Sequence, residues 1–295
     1  MKDQCIICEG QSFALVSEGL RDGTTEQKVY KCETCSYVQL LPRPSAGEDQ
    51  AFYDRNGQDR AVRAQINLDW EREAFAVDVT RRADTVDAVM SPDSSLLDIG
   101  TGYGFFLETM CERGYAVRGI EIGEERRKMA REITDAPIDA TNLITEDSLP
   151  EQVSDVVTLF HVLEHVADPV GFARTLKALV KPGGALVCEV PNVDELLLET
   201  CTDYRRFYWI RAHLSYFSQS ILERVLIEAG FREVSVLFVQ RYGIENLSHW
   251  LTFGKPQIQR PLFKIDAEYG WLEDQYRDRL TQTGRTDTLV AVARA

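Results

Sequence analysis

The stretch Ser95-Leu96-Leu97-Asp98-Ile99-Gly100-Thr101-Gly102-Tyr103-Gly104-Phe105-Phe106 constrains the fold more than any other part of the chain. Leu96, Leu97 and Ile99 make a short apolar run. Gly100, Gly102 and Gly104 follow at two-residue spacing, and Phe105 to Met110 start a helical pattern. Strand, tight turn and helix are expected in succession. Glycine permits a positive φ and leaves no Cβ in the way of a ligand, while the new helix points unpaired N–H groups into the crevice. A glycine turn alone is a weak sign, because many nucleotide folds use one. Glu121 sharpens it, since it ends the next apolar segment, Ala116 to Ile120, where an acid can hold two ribose hydroxyls.

The glycine spacing is G-x-G-x-G rather than the dinucleotide fingerprint G-x-G-x-x-G. Leu97 to Gly104 resembles the first motif of class I S-adenosylmethionine-dependent methyltransferases, and Gly119-Ile120-Glu121-Ile122 resembles their ribose-binding second strand. The resemblance implies an α/β fold with a Rossmann-like sheet in the order 3-2-1-4-5-7-6, the last strand antiparallel, and S-adenosyl-L-methionine as cofactor. It places Asp98 near the amino acid end of that cofactor, with Gly100, Gly102 and Gly104 beneath it. Glu121 would hold the ribose beside Ile122; Asn142, with Asp147 as a shifted alternative at a position usually acidic in the family, and Leu143 would meet the adenine, and His161 would also contact the cofactor.

Two paired motifs, Cys5-Ile6-Ile7-Cys8 and Cys32-Glu33-Thr34-Cys35, have the spacing of a structural zinc knuckle or ribbon. Each pair brings two thiolates to one ion from a tight turn, and four thiolates close a tetrahedral Zn(2+) site with no open position for catalysis. Cys5, Cys8, Cys32 and Cys35 are therefore expected to staple a module at 1–45 that is too small to bury an adequate core alone. Disulfides are disfavoured in a cytoplasmic chain, and a redox pair would need a thioredoxin-like context. Cytoplasmic location is expected because the first residues lack a signal peptide's apolar core and no apolar run reaches a membrane span. The formal charge of -14 repels polyanions, which makes nucleic acid an unfavoured partner. Cys111, Cys188 and Cys201 stand apart and are expected as core or semi-buried thiols.

Pro42-Arg43-Pro44 ends the module. Helical spacing of Phe52, Tyr53, Ile66, Trp70, Phe75, Val79, Val86 and Val89 predicts a helical segment between Glu48 and Met90, and the resemblance makes 46–94 a cap over the cofactor ahead of a core at 95–295. In the resembling enzymes a tyrosine in a position like Tyr53 can reach the cofactor; packing under the cap explains it equally. Asp155 to Phe160 reads as a buried central strand leading into His161-Val162-Leu163-Glu164-His165. On a helical turn His161, Glu164 and His165 share one side, at strand carboxyl ends where a crevice is expected.

Glu164-His165 resembles the Glu-His pair of many small-molecule methyltransferases, which implies His165 as general base toward an acceptor hydroxyl or amine. Imidazole suits that task because it titrates near neutrality. Some ubiquinone-pathway O-methyltransferases hold a divalent cation through two glutamates and the histidine of a similar segment, and His161 replaces the first glutamate here. His213, in the family-like His213-Leu214-Ser215-Tyr216-Phe217, is a second base or substrate-binding candidate, and a histidine bonded to backbone explains it equally. The expected catalytic set is His165 with His161, Glu164, His213 and Tyr53 nearby.

Between the last two strands, 241–287 forms an insertion rich in aromatic and polar side chains, suited to a substrate-specificity element for a sugar ring or nucleotide, or to a homodimer interface. A zinc module ahead of such a core resembles enzymes that methylate activated or polymer-bound sugars. The acceptor expected from this is a small polar metabolite, foremost a sugar or nucleotide-linked sugar of surface-polysaccharide or natural-product biosynthesis. Ribosomal RNA base methylation, and a non-catalytic assembly protein that binds the cofactor, are the alternatives.

Overall fold

The computed structural model describes residues 4–22, 26–44, 67–144, 153–256 and 266–295. Three short antiparallel strands come first: β1 (Phe13–Ser17), β2 (Lys28–Cys32) and β3 (Val38–Leu41). The helix α1 (Leu68–Asp87) is entered through Asn67, whose side chain accepts from the N–H groups of Asp69 and Trp70. Then strands and helices alternate: β4 (Ser95–Ile99), α2 (Phe105–Glu112), β5 (Ala116–Ile120), α3 (Glu124–Ile133), β6 (Ile138–Asp139), β7 (Ser154–Phe160), α4 (Pro169–Leu179) and β8 (Val180–Pro191). Alternation of this kind builds a parallel sheet, and neighbours in the row β6-β5-β4-β7-β8 all pair parallel.

After β8 come α5 (Leu196–Thr200), α6 (Thr202–Tyr208), β9 (Ser215–Tyr216), α7 (Gln219–Glu228) and β10 (Arg232–Val239). Helices α8 (Ile244–Phe253) and α9 (Gly270–Thr283) precede β11 (Thr288–Arg294), which inserts between β8 and β10 antiparallel to both. The row β6-β5-β4-β7-β8-β11-β10 is the 3-2-1-4-5-7-6 order that the resemblance implies.

Both faces of this sheet are covered, which is why its central strands read as unbroken apolar runs. Successive side chains point to opposite faces. Leu97, Val157, Leu186 and Leu289 join α4 and α7 in one cluster, while Leu96, Val156, Val187 and Val290 join α1 and α2 in another.

Several expectations change in detail. Of the expected cap, the described residues 67–94 hold α1, in which Ala83 and Val86 are buried while Trp70 and Val77 are exposed. Tyr53 and Asp147 lie outside the described residues. The two-residue β6 was too short to give a period, and β8 starts at Val180 rather than at Ala185, with an irregular register through the Pro-Gly-Gly segment. Cys111 is exposed, whereas Cys188 and Cys201 are buried.

The expected boundary at residue 45 is crossed by a second sheet, β1-β2-β3-β9, whose last strand belongs to the core. Cys5, Cys32 and Tyr37 lie in the same apolar cluster as Leu163, Val166 and Phe217. Among the described residues no helix is long and apolar enough to cross a membrane.

Candidate functional site

The glycine turn leaves the carboxyl end of β4 with Gly100, Gly102 and Gly104 at φ 76°, 60° and 87°. A Cβ on Gly100 would come within 2.5 Å of Val162 Cγ2, and one on Gly104 within 3.1 Å of the Ala130 Cβ. Only glycine meets both the backbone and the space requirement. A Cβ on Gly102, by contrast, would meet nothing within 4 Å, so this side of the turn is open to a ligand.

Glu121, buried just past β5, ties the turn down: its Oε2 accepts from the Gly102 N–H (2.8 Å) and its Oε1 from the Gly123 N–H (2.8 Å). Each carboxylate oxygen keeps a second lone pair for a hydroxyl. Asp98 is buried, and Thr158 Oγ1 donates to its Oδ1 (2.6 Å). Burial raises this carboxyl to about 7 against the pull of that hydrogen bond. Further along, Ile122 is exposed, Leu143 is buried, and Asn142 Oδ1 accepts from the Ile144 N–H (3.0 Å), closing a turn.

At the end of β7, His161, Glu164 and His165 do not form the single helical row expected. His161 takes φ 57°, and only Leu163–His165 make a helical turn, of the 3-10 kind. His161 and Glu164 still meet, Nδ1 to Oε1 (3.2 Å), but the other ring nitrogen faces Glu189 Oε1 (3.1 Å) and Arg241 Nη1 (2.8 Å). Burial and Arg241 favour neutral imidazole, yet the two carboxylates outweigh them and raise the His161 pKa. Burial would likewise raise Glu164, but its hydrogen bond with His161 holds it at about 2.

His165 turns the other way: its Nδ1 lies 2.8 Å from the Ala212 carbonyl oxygen, and its ring stands edge-on to His213 at 4.8 Å between centroids. Burial, reinforced by His165, lowers His213 to about 3. His213 Nδ1 and Glu164 Oε2 are buried without a hydrogen-bond partner. One carboxylate oxygen of Glu164 and one ring nitrogen each of His165 and His213 lie within 4.8 Å of one another, a spacing that a polar ligand group or a divalent cation can bridge.

Sequence reasoning missed the arginines around His161. Glu189, buried in β8, accepts from Arg81 Nη2 (2.8 Å) and Arg82 Nη2 (2.5 Å) of α1. Arg241 Nη2 in turn reaches Asp78 Oδ2 (2.6 Å) on the same helix. The available signal was Glu189 itself, since an acid inside an apolar strand must be paired. In the insertion, Tyr242, Asn246 and Tyr276 line a small cavity with Glu195, Tyr204 and Asp287, whereas Tyr269 and Trp271 are exposed.

The cysteine motifs converge. Cys5 Sγ lies 3.6 Å from Cys35 Sγ and Cys8 Sγ 3.5 Å from Cys32 Sγ, and all four sulfurs fall within 4.8 Å of one another. A disulfide needs about 2.05 Å. Sulfurs around a tetrahedral zinc, each about 2.3 Å from the ion, stand about 3.8 Å apart, which the set approaches. A Cβ on Gly10 would sit 2.8 Å from Thr34 Oγ1 and 3.2 Å from both Cys8 Sγ and Cys32 Sγ, so the sulfurs pack tightly around this glycine.

A family model described as "Methyltransferase domain" matches residues 69–236, more than half of the chain. The chain belongs to the methyltransferase domain family. Among this methyltransferase's curated relatives, the ubiquinone biosynthesis O-methyltransferase of Paramagnetospirillum magneticum is 31% identical over 145 residues, covering 47% of this chain and 57% of that protein. The protein of the same name from Stutzerimonas stutzeri is 42% identical over 105 residues, covering 33% and 44%. The chain thus spans about half the length of the curated relatives it matches. The crystal structure of a SAM-dependent methyltransferase from Archaeoglobus fulgidus superposes with a TM-score of 0.54 at 20% identity, covering 78% of this chain and all of that one, and shares the fold.

Proposed function

We propose that the protein transfers a methyl group from S-adenosyl-L-methionine to an oxygen or nitrogen of a small polar acceptor, with His165 as general base. The hydrogen bond between His165 Nδ1 and the Ala212 carbonyl carries this assignment. A carbonyl only accepts, so Nδ1 keeps the proton and Nε2 keeps the lone pair a base needs. His161 is a poor base because its two carboxylates favour the protonated ring.

Asp98, Gly100, Gly102, Gly104 and Glu121 would hold the cofactor, with Ile122, Asn142 and Leu143 on the adenine side and His161 closing the site. The open face of Gly102 and the spare lone pairs of Glu121 support that fit. Bound there, S-adenosyl-L-methionine supplies a methyl group already activated by its positive sulfur. The remaining work falls to this chain: aligning the acceptor in line, and taking its proton on His165 Nε2, with the unpartnered Glu164 Oε2 and His213 Nδ1 orienting the polar group. Cys5, Cys8, Cys32 and Cys35 would hold one structural Zn(2+), which closes the fold and leaves no position for substrate.

A sugar or nucleotide-linked sugar remains the proposed acceptor, supported by the tyrosines, amide and carboxylates of the insertion cavity. The names of the curated relatives favour instead an intermediate of ubiquinone biosynthesis. The test is transfer of isotope-labelled methyl into a fractionated cell extract, with and without added Mg2+. Label in nucleotide-sugar or polysaccharide fractions is expected; label in lipid-extracted quinone precursors would move the acceptor to the relatives' class. Label in RNA, or none despite measurable cofactor binding, contradicts the proposal. Strict dependence on Mg2+ would make Glu164, His165 and His213 cation ligands and remove His165 as the base.

A further inference from the structure

The chain segments that carry His165 and His213 are both fastened to the amino-terminal sheet. Two contacts hold the entrance to the second segment: Asp22 accepts from the Arg211 N–H at 3.0 Å, and the Arg21 N–H donates to the Trp209 carbonyl at 2.8 Å. Its far side is held by strand pairing, with Leu40 N–H donating to the Leu214 carbonyl (3.2 Å) and Gln39 and Val38 opposite Ser215 and Tyr216. Leu214 N–H donates to the Glu164 carbonyl (2.8 Å), so the two histidine segments are also tied to each other.

A side-chain relay reaches the same place. The Arg43 guanidinium donates to the Ala167 carbonyl, to Gln39 Oε1 (2.9 Å) and to the Tyr37 hydroxyl (3.2 Å). The Tyr37 hydroxyl donates to Ser215 Oγ, which lies 3.5 Å from the Val166 carbonyl. Tyr37 is fully buried, and Arg43 and Tyr37 therefore clamp the turn after His165 against the strand after His213.

We propose that the cysteine-bearing sheet positions the acceptor-site histidines, with Tyr37 and Arg43 as positioning residues that fix the His165–Ala212 hydrogen bond and so the tautomer of the base. This rests on His165 serving as that base. It gives the amino-terminal module a part in the reaction that a folding staple alone would not have. A shift of a catalytic group by a fraction of an ångström is costly, and comparable supporting residues change activity by about 10–100-fold.

The test uses the full chain and its four histidines, whose ring nitrogens can be followed by 15N NMR. In Tyr37→Phe, which keeps the buried ring, and in Arg43→Gln, the His165 and His213 signals are expected to move. The signal of His249, which lies on α8 with its Nδ1 against the Lys255 carbonyl just past that helix, is expected to stay. Turnover should fall about 10–100-fold at unchanged cofactor affinity, and Arg43→Lys, which still donates to Ala167, should recover part of it. Unmoved His165 and His213 signals, a shift shared by His249, unchanged turnover, or a parallel loss of cofactor affinity each overturn the proposal. Retained turnover in His165→Ala would remove the base assignment alone, while the ring shifts would still report whether the sheet positions the histidines.

Discussion

His161, His165 and His213 lie close together yet meet three different surroundings. His161 sits between Glu164 and Glu189, His213 is buried with an unpartnered nitrogen, and His165 has one nitrogen committed to a carbonyl. Loss of His165 in His165→Ala is expected to lower turnover by about 100- to 10,000-fold while cofactor affinity, read by calorimetry, changes little. Asp98 offers a second prediction. Its folded-state carboxyl binds a proton more tightly than the unfolded chain's, with a pKa of about 7 against 3.8. The apoprotein is then most stable below about pH 4 with respect to this group and loses stability as pH rises to about 7. Asp98→Asn should remove this group's share of the difference between urea midpoints taken at about pH 5 and about pH 8. An unchanged difference would mean that Asp98 is ionised in the apoprotein. The residue types of this site were legible in the sequence because the glycines and the Glu-His pair stand in recognisable positions. Their orientations were not, because the left-handed backbone at His161 turns its ring away from His165, and no spacing rule announces that.

The glycine turn and α1 show how elements hold the site. Gly100→Ala places a non-glycine residue at φ 76° and drives its Cβ into Val162, and a loss of at least about 1–2 kcal/mol is expected from the backbone alone. Adding Val162→Ala should recover the steric part and leave the backbone part; full recovery of stability and cofactor affinity would show that the left-handed turn carries no cost. On α1, Arg81 and Arg82 converge on the buried Glu189. Glu189→Gln leaves two guanidinium groups facing a neutral amide and is expected to cost about 3–5 kcal/mol in urea unfolding. A cost below about 1 kcal/mol would place the network among surface ion pairs. The helical pattern of α1 was readable, but its pairing with β8 was not, because Arg81 and Glu189 are distant in sequence.

At the scale of the molecule, the sheet order was implied by the resemblance carried by the glycine motif and the second strand, and the observed row matches it. The cysteine motifs also announced their own convergence. What sequence could not show is that β9, only two residues long, carries the core into the amino-terminal sheet, so that the two share one apolar cluster. Metal removal is accordingly expected to act beyond the module: a strong chelator should release about one Zn(2+) per chain and lower the thermal midpoint of the whole protein. A fully metal-free protein with an unchanged midpoint would remove the zinc assignment.

The measurement that reaches furthest is transfer of labelled methyl from S-adenosyl-L-methionine to the acceptor fraction by the wild-type protein and by His165→Ala, both at saturating cofactor. Label incorporated by the wild type, and reduced about 100-fold or more in the variant at equal cofactor occupancy, is the expected result. Equal incorporation by the two proteins would contradict His165 as the base, and none by either would contradict methyl transfer itself.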